Sequence, residues 1–172
     1  MIHNVEQAVY FGKLDGKGHL IVYRKGLENR SQNPDIRTAY ERVAPTIYAL
    51  TAAIDAKDNF TFIHSMNVSK YAVMLAEALH MTDNDIEVVR VAGMLHDIGK
   101  ISIPEHILKK TEGLTPEEYA IMKTHVENSI KMIRYLPNMD YVIPAVIAHH
   151  ERYDGKGYPR GLKGTGIPLM GR

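Results

Sequence analysis

Along this chain amphipathic stretches alternate with short breaker-rich segments, and that alternation predicts a succession of helices. From Asn4 to Leu14 the pattern suits a helix with Val5, Ala8, Val9 and Phe11 on its apolar side. Asp15-Gly16-Lys17-Gly18 breaks it, and His19 to Arg24 is apolar and β-branched enough for a short strand. Gly26 to Asn33 is polar and rich in breakers, so a boundary falls there, with 1-26 before it and 27-172 after it. Asn33 caps and Pro34 opens a predicted helix that runs to about Ala56, and a kink is expected near Pro45, which lacks the amide donor.

The next helix opens at Asp58 or Thr61. It carries His64 near its start, then Val68, Tyr71, Ala72, Leu75, Ala76 and Leu79 at helical spacing, a face expected to point into the core. Asp83 to Leu95 forms a third, with Ile86, Val89, Val91, Ala92 and Leu95 apolar, and delivers His96-Asp97 at its end. Ile101 to Pro104 is predicted extended and Pro104 to Lys109 a helical turn. Thr115-Pro116-Glu117-Glu118 has the capping-box pattern, and its helix should reach His125 about three turns on. Val126 to Arg134 continues that helix or begins another, ended by Leu136-Pro137-Asn138. Met139 to His150 is apolar and helical, with Pro144 at or near its first turn. No strand pattern of weight follows Arg24. The body is therefore an all-α bundle of about six or seven helices, preceded by a short helix-strand segment.

Composition narrows the chemistry. The 172 residues are 45% apolar, enough for one domain with a real core. Lys and Arg number 21 against 20 Asp and Glu, so no global field points to a nucleic-acid polymer or an anionic membrane. Cysteine is absent, which excludes disulfides and thiol catalysis and leaves any metal to imidazole and carboxylate. Met1 to Tyr10 lacks the regions of a signal peptide, and no apolar run approaches the roughly 20 residues of a membrane span. A cytoplasmic location is the expectation.

Imidazole and carboxylate do cluster. His96 and Asp97 are adjacent, and in mid-helix adjacent side chains diverge by about 100°. Gly99 is expected to end the helix there, letting both side chains turn to one centre, where the carbonyl end of the helix dipole favours a cation. Asp97 has two oxygens and can bridge two ions. Two such ions about 3.5 to 4 Å apart clamp a hydroxide that serves as nucleophile near neutral pH. His149-His150 precede Asp154-Gly155-Lys156-Gly157-Tyr158-Pro159, a loop whose two glycines suit a sharp turn or a close approach to ligand. A histidine taken alone is more often packed than metal-bound, and His3, His19, His80 and His106 are read that way. The methionines, Met66, Met74, Met94 and Met122 among them, read as core filler.

His64, the pair His96-Asp97 within HDIGK, His125 and the run HHERYDGKGYP together resemble the HD-GYP domain, a bacterial branch of the HD metal-dependent phosphohydrolases. The resemblance covers roughly Asp58 to Arg172. It implies an HD-domain-like helical bundle in which His64, His96 and Asp97 hold one metal and Asp97, His125, His149 and His150 hold another. The ions it implies are iron or manganese, with zinc or nickel taken up in a purified sample. Where some members have a third-metal glutamate this chain has Phe60, which argues for two ions. Members also carry an aspartate beyond the segment that here reads Arg160 to Arg172, so the domain is expected to be truncated at its C-terminus.

The implied activity is hydrolysis of cyclic di-GMP in bacterial second-messenger signalling, with Asp97 and Lys100 as catalytic groups. Substrate contacts are expected from Lys100, Asp154, Gly155, Gly157, Tyr158 and Pro159, and Glu151 is expected to orient a ligand histidine. Two other functions stay open: hydrolysis of a different nucleotide, and a signalling or binding module without turnover. Asn67, where many members have arginine, keeps the latter in view. Residues around Ala8, Tyr10 and Lys13, with Gly16 or Gly18, resemble the end of a GGDEF domain; a docking segment of the same domain is an equal reading. A GGDEF partner or fused upstream domain, and a homodimer, are the remaining expected partners.

Overall fold

The structure is a computed structural model in which residues 36–58 and 61–172 are described. The helix-strand segment read over Asn4 to Arg24, the boundary after it and the Phe60 position lie outside the described residues. Ile36–Arg172 forms one compact unit. Its α-helices are α1 (Ile36–Asp58), α2 (Thr61–Ala78), α3 (Asp83–Leu95), α4 (Glu105–Leu108), α5 (Pro116–Lys123), α6 (His125–Ile133) and α7 (Ile143–Ala148). Short 3-10 turns occupy Ile98–Ser102, Asp140–Val142, Gly164–Gly166 and Leu169–Gly171. No strand occurs among the described residues, as the periodicity predicts.

α3 is the central element. Thr82 caps it by accepting from Asp85 N at 3.2 Å, and every residue from Val88 to Leu95 except Arg90 is buried. It is small on the side that meets α2: a Cβ on Gly93 would lie 2.7 Å from Ser69 Cα, so the two backbones approach as only glycine permits. Ser69 Oγ donates to Arg90 O at 2.8 Å across that contact.

This close contact corrects the expected face of α2. Ser65, Ser69, Val73 and Ala76 are buried, whereas Tyr71, Leu75 and Leu79 are 63%, 60% and 57% exposed. Spacing alone favours the larger apolar residues; the glycine on α3 selects the smaller ones.

α1 is a single helix with Pro45 inside it, and buries Val43, Ile47 and Ile54. The segment expected to be extended from Ile101 to Pro104 begins as the end of the 3-10 turn Ile98–Ser102, and is extended at Ile103 and Pro104. Lys100 N bonds Asp97 O and Ile103 N bonds Lys100 O, so the chain closes tight turns directly after the histidine-aspartate pair.

The capping box forms as read. Thr115 Oγ1 accepts from Glu118 N at 3.3 Å, and Glu118 Oε2 accepts from Thr115 N at 2.8 Å. α5 stops at Lys123 and α6 starts at His125, placing that histidine at the break. α6 then buries Val126, Ser129, Ile130 and Ile133 along one side, and Pro144 lies in the first turn of α7.

Candidate metal centre

The histidines that resemble ligands sit at helix ends. His96 follows α3, His149 follows α7, and His125 opens α6 directly after α5. The last carbonyls of a helix have no intrahelical amide, and these imidazoles use them. His96 Nδ1 donates to Gly93 O at 2.8 Å, His125 Nδ1 to Met122 O at 2.7 Å and His149 Nδ1 to Val146 O at 2.5 Å. Each bond runs to the residue three before. With the proton held on Nδ1, each ring turns a lone pair on Nε2 toward the interior.

Asp97 lies where those lone pairs converge. Its Oδ2 is 3.1 Å from His96 Nε2 and 4.0 Å from His64 Nε2; its Oδ1 is 3.3 Å from His125 Nε2 and 4.0 Å from His149 Nε2. Lys100 Nζ is 2.8 Å from Oδ2. Burial pushes the Asp97 carboxyl up, but the positive charge and hydrogen bonding around it, the Lys100 ammonium among them, outweigh it and hold the group well below the usual carboxylate range. Asp97 is therefore an anion. Burial lowers His125 and His64, and takes His149 down to about 3; burial with neighbouring His125 takes His150 down to about 4. These rings are neutral at pH 7, the form a metal binds.

Whether these residues fit a cation is decided by what the buried acceptors face. His125 Nε2 and His149 Nε2 are 3.3 Å apart, and both rings have placed their proton on the far nitrogen. Asp97 Oδ1 faces the same space, buried and without a hydrogen-bond donor. Three lone-pair carriers converging without a proton among them repel one another unless a cation lies between. Donors about 2.1 Å from one ion at roughly right angles lie about 3 Å from each other, close to the separations seen. The donor set fits a metal. It falls into two groups that share Asp97: His64, His96 and Asp97, and Asp97, His125, His149 and His150. The first is the more open, since His64 is 53% exposed.

The loop after His150 is built against the second group. Tyr158 stacks on His150 with ring centroids 4.6 Å apart, and Tyr158 N bonds His150 O at 3.2 Å. Gly157 is required by close approach, because a Cβ there would lie 2.3 Å from Arg152 N; Gly155 is required by its φ of +80°. The two glycines thus have separate reasons. The Tyr158-Pro159 peptide is cis. Asp154 is engaged by the loop itself, accepting from Arg152 Nη2 at 2.7 Å and Lys156 N at 2.9 Å.

Glu151 makes bonds that sequence reasoning missed. Its carboxylate accepts from Arg160 N at 2.7 Å and Leu162 N at 2.8 Å, while His96, His125 and His149 are oriented by backbone carbonyls. Ser129 is another omission: fully buried, it accepts from Gly99 N and donates to His96 O, both at 2.8 Å. Gly99 itself has an ordinary φ, and its role is space, since a Cβ would come within 2.0 Å of His125 O. A serine in a helix carries no sequence signal for this. The recurring histidine at a helix end, with orphan carbonyls behind it, is a signal that could have been used.

A helical bundle that gathers imidazoles from four helices and turns around one shared aspartate defines a class of metal-centred all-α domain. Residues 45–172 match the HD domain family, and the chain belongs to it; with HDIGK and DGKGYP in place it is of the HD-GYP type. HD domains bind divalent metals. The chain is 38% identical to the cyclic di-GMP phosphodiesterase response regulator RpfG of Xanthomonas campestris pv. campestris, over 77% of this chain and 35% of that protein. It is 33% identical to 3'3'-cGAMP-specific phosphodiesterase 2 of Vibrio cholerae, over 89% of this chain and 30% of that protein. It is 41% identical to a cyclic di-GMP phosphodiesterase of Thermotoga maritima, over 67% of this chain and 32% of that protein. The chain spans about a third of the length of these relatives. No described helix is long and apolar enough to cross a membrane.

Proposed function

We propose that this domain holds two divalent ions, iron or manganese, and hydrolyses a phosphodiester of cyclic di-GMP. The observation that carries the reading is the shared carboxylate: Asp97 presents Oδ1 to one imidazole group and Oδ2 to the other. Bound divalent ions would supply Lewis acidity and a water acidic enough to give up its proton near neutral pH, leaving a hydroxide able to attack phosphorus. The chain supplies the rest. The backbone carbonyls behind His96, His125 and His149 keep each Nε2 deprotonated and aimed, so the centre is assembled before substrate arrives. Lys100, anchored on Asp97 Oδ2, places a positive charge beside the reacting phosphate and compensates its developing negative charge. Tyr158, stacked on His150, walls the second group on its loop side and excludes water there.

The reading is tested with metal-loaded full-length protein, handled anaerobically and offered cyclic di-GMP, 3'3'-cGAMP and cyclic di-AMP. Cyclic di-GMP is expected to be opened to linear or mononucleotide products, and Asp97→Ala to abolish turnover. A fully metallated protein that leaves cyclic di-GMP intact would overturn it. Preferential cleavage of 3'3'-cGAMP would establish the second reading, which the 33% identity to the Vibrio cholerae relative favours.

A further inference from the structure

Outside the ligand set, Lys123 is a cation beside the metal centre with no acid partner among the described residues. Lys123, the last residue of α5, stands 5.1 Å from the centroid of the Tyr119 ring and 5.9 Å from that of Tyr158. The two rings meet edge to face at 6.1 Å, and the Tyr158 ring is the one stacked on His150. Lys123 is therefore one ring further out from the second ligand group than Tyr158. It is half-buried, and among the described residues no carboxylate pairs with it. Four neighbouring cations differ. Lys100 is bound to Asp97, Lys110 to Glu118, Arg152 to Asp154 and Arg160 to Glu127.

An ammonium held between two aromatic faces keeps its charge and its three donors for a ligand, and the rings restrict where it points. Its position is set by structure already required for the centre. α5 and α6 are separated by a single residue, Thr124, so the break that aims His125 inward also places Lys123 beside the GYP loop. Tyr119, one turn earlier on α5, is 46% exposed and lies open next to the amine.

Resting on the reading that the substrate is a cyclic dinucleotide, we propose that Lys123, framed by Tyr119 and Tyr158, is a specificity-determining residue that binds the substrate's second phosphate, the one not cleaved. A cyclic dinucleotide carries two phosphates separated by a nucleoside on either side. When one is at the Asp97 centre, the other needs a cation outside the ligand cluster, on the wall next to it. Lys123 meets that requirement with no acid to displace, and Tyr119 offers a face for the intervening base. A diester with a single phosphate gains nothing from it.

The test compares wild type with Lys123→Met and Lys123→Arg on two substrates, cyclic di-GMP and bis(p-nitrophenyl) phosphate, which has one phosphate only. Metal content and thermal stability are measured alongside, and affinity is measured by calorimetry on the metal-loaded protein with a non-hydrolysable phosphorothioate analogue of cyclic di-GMP, so that no turnover intervenes. Lys123→Met is expected to raise KM for cyclic di-GMP and Kd for the analogue about 10- to 100-fold, with kcat changed far less. Its loss on bis(p-nitrophenyl) phosphate should be at least about tenfold smaller, and Lys123→Arg should recover most of the affinity. Equal losses on the two substrates, or no change in Kd, would overturn the proposal. If wild type binds cyclic di-GMP without cutting it, the phosphodiesterase reading fails while the Kd comparison still decides the role of Lys123. If wild type neither binds nor cuts it, both fall.

Discussion

Ser129 Oγ accepts the Gly99 amide and donates to the His96 carbonyl, so one hydroxyl on α6 holds both sides of the turn that presents Asp97. The neighbouring space is filled by backbone: a side chain at position 99 would collide with His125 O and Ser129 N. Two ligand-bearing segments, one ending α3 and one opening α6, are thereby clamped at a fixed separation. Ser129→Ala removes the hydroxyl and leaves a buried amide and a buried carbonyl without that partner. The expected cost is about 1–3 kcal/mol of stability, read as a lower midpoint in urea, together with weaker metal retention. Gly99→Ala should cost more than Ser129→Ala, because the atoms in its way are main chain and cannot step aside. A Gly99→Ala protein as stable as wild type would contradict the close approach.

Metal content should follow the shared carboxylate. Asp97→Ala is expected to empty both ligand groups, whereas His106→Ala, on the exposed surface of α4, should leave the content of wild type. His64→Ala should weaken the more open group and spare the other. Elemental analysis after gel filtration checks all three. Equal content in the Asp97 and His106 variants would remove this centre from consideration.

Stability of the metal-free protein should depend on pH through the buried imidazoles. His149 is taken from an ordinary 6.5 down to about 3 by burial, and His150 to about 4. Between those values and 6.5 the unfolded chain binds protons that the folded chain does not. Stability is thus complete above pH 6.5 and falls as the pH drops toward 4, His149 contributing a slope of at most about 1.4 kcal/mol per pH unit. Asp97 acts in the other window, its contribution being lost only below its ordinary value of 3.8. Thermal melts in a chelator from pH 7.5 to 4.5 check the sign. A melting temperature that rises on acidification would show that the imidazoles are not buried in neutral form.

Glu151 offers a separation of two roles. Its carboxylate holds the amides of Arg160 and Leu162, so Glu151→Ala should speed hydrogen exchange at those two positions about 5- to 150-fold, equivalent to about 1–3 kcal/mol. Amides on α3 and α6 should exchange as in wild type. If the change appeared instead at His149 and His150, orientation of the ligands would be the better description.

Local signals made much of this domain legible. Thr115 with Glu118 forms the reciprocal bonds that a capping box implies, and α3 spans Asp83–Leu95 as its apolar spacing predicted. The histidines and aspartate that resemble HD-GYP ligands are the ones brought together, with His80 and His106 outside both groups. Such features depend on residues a few positions apart, or on chemical identity, and both are written directly in the order of the residues.

Contacts between elements were not legible in the same way. Tyr71, Leu75 and Leu79 look like one core face with Ala76, yet Ala76 is buried alongside Ser65, Ser69 and Val73 and the larger three are not, Ser69 packing on the glycine of α3. Gly99 reads as a helix stop, yet its reason is the main chain of α6, thirty residues away. Glu151 reads as a support for histidine and holds a loop nine to eleven residues on. The sequence by itself determined which residues form helices and which carry metal-binding chemistry, because those are properties of short segments. Only the tertiary structure decided which face each helix buries and which donor each carboxylate finds, because those depend on how closely two distant backbones come together.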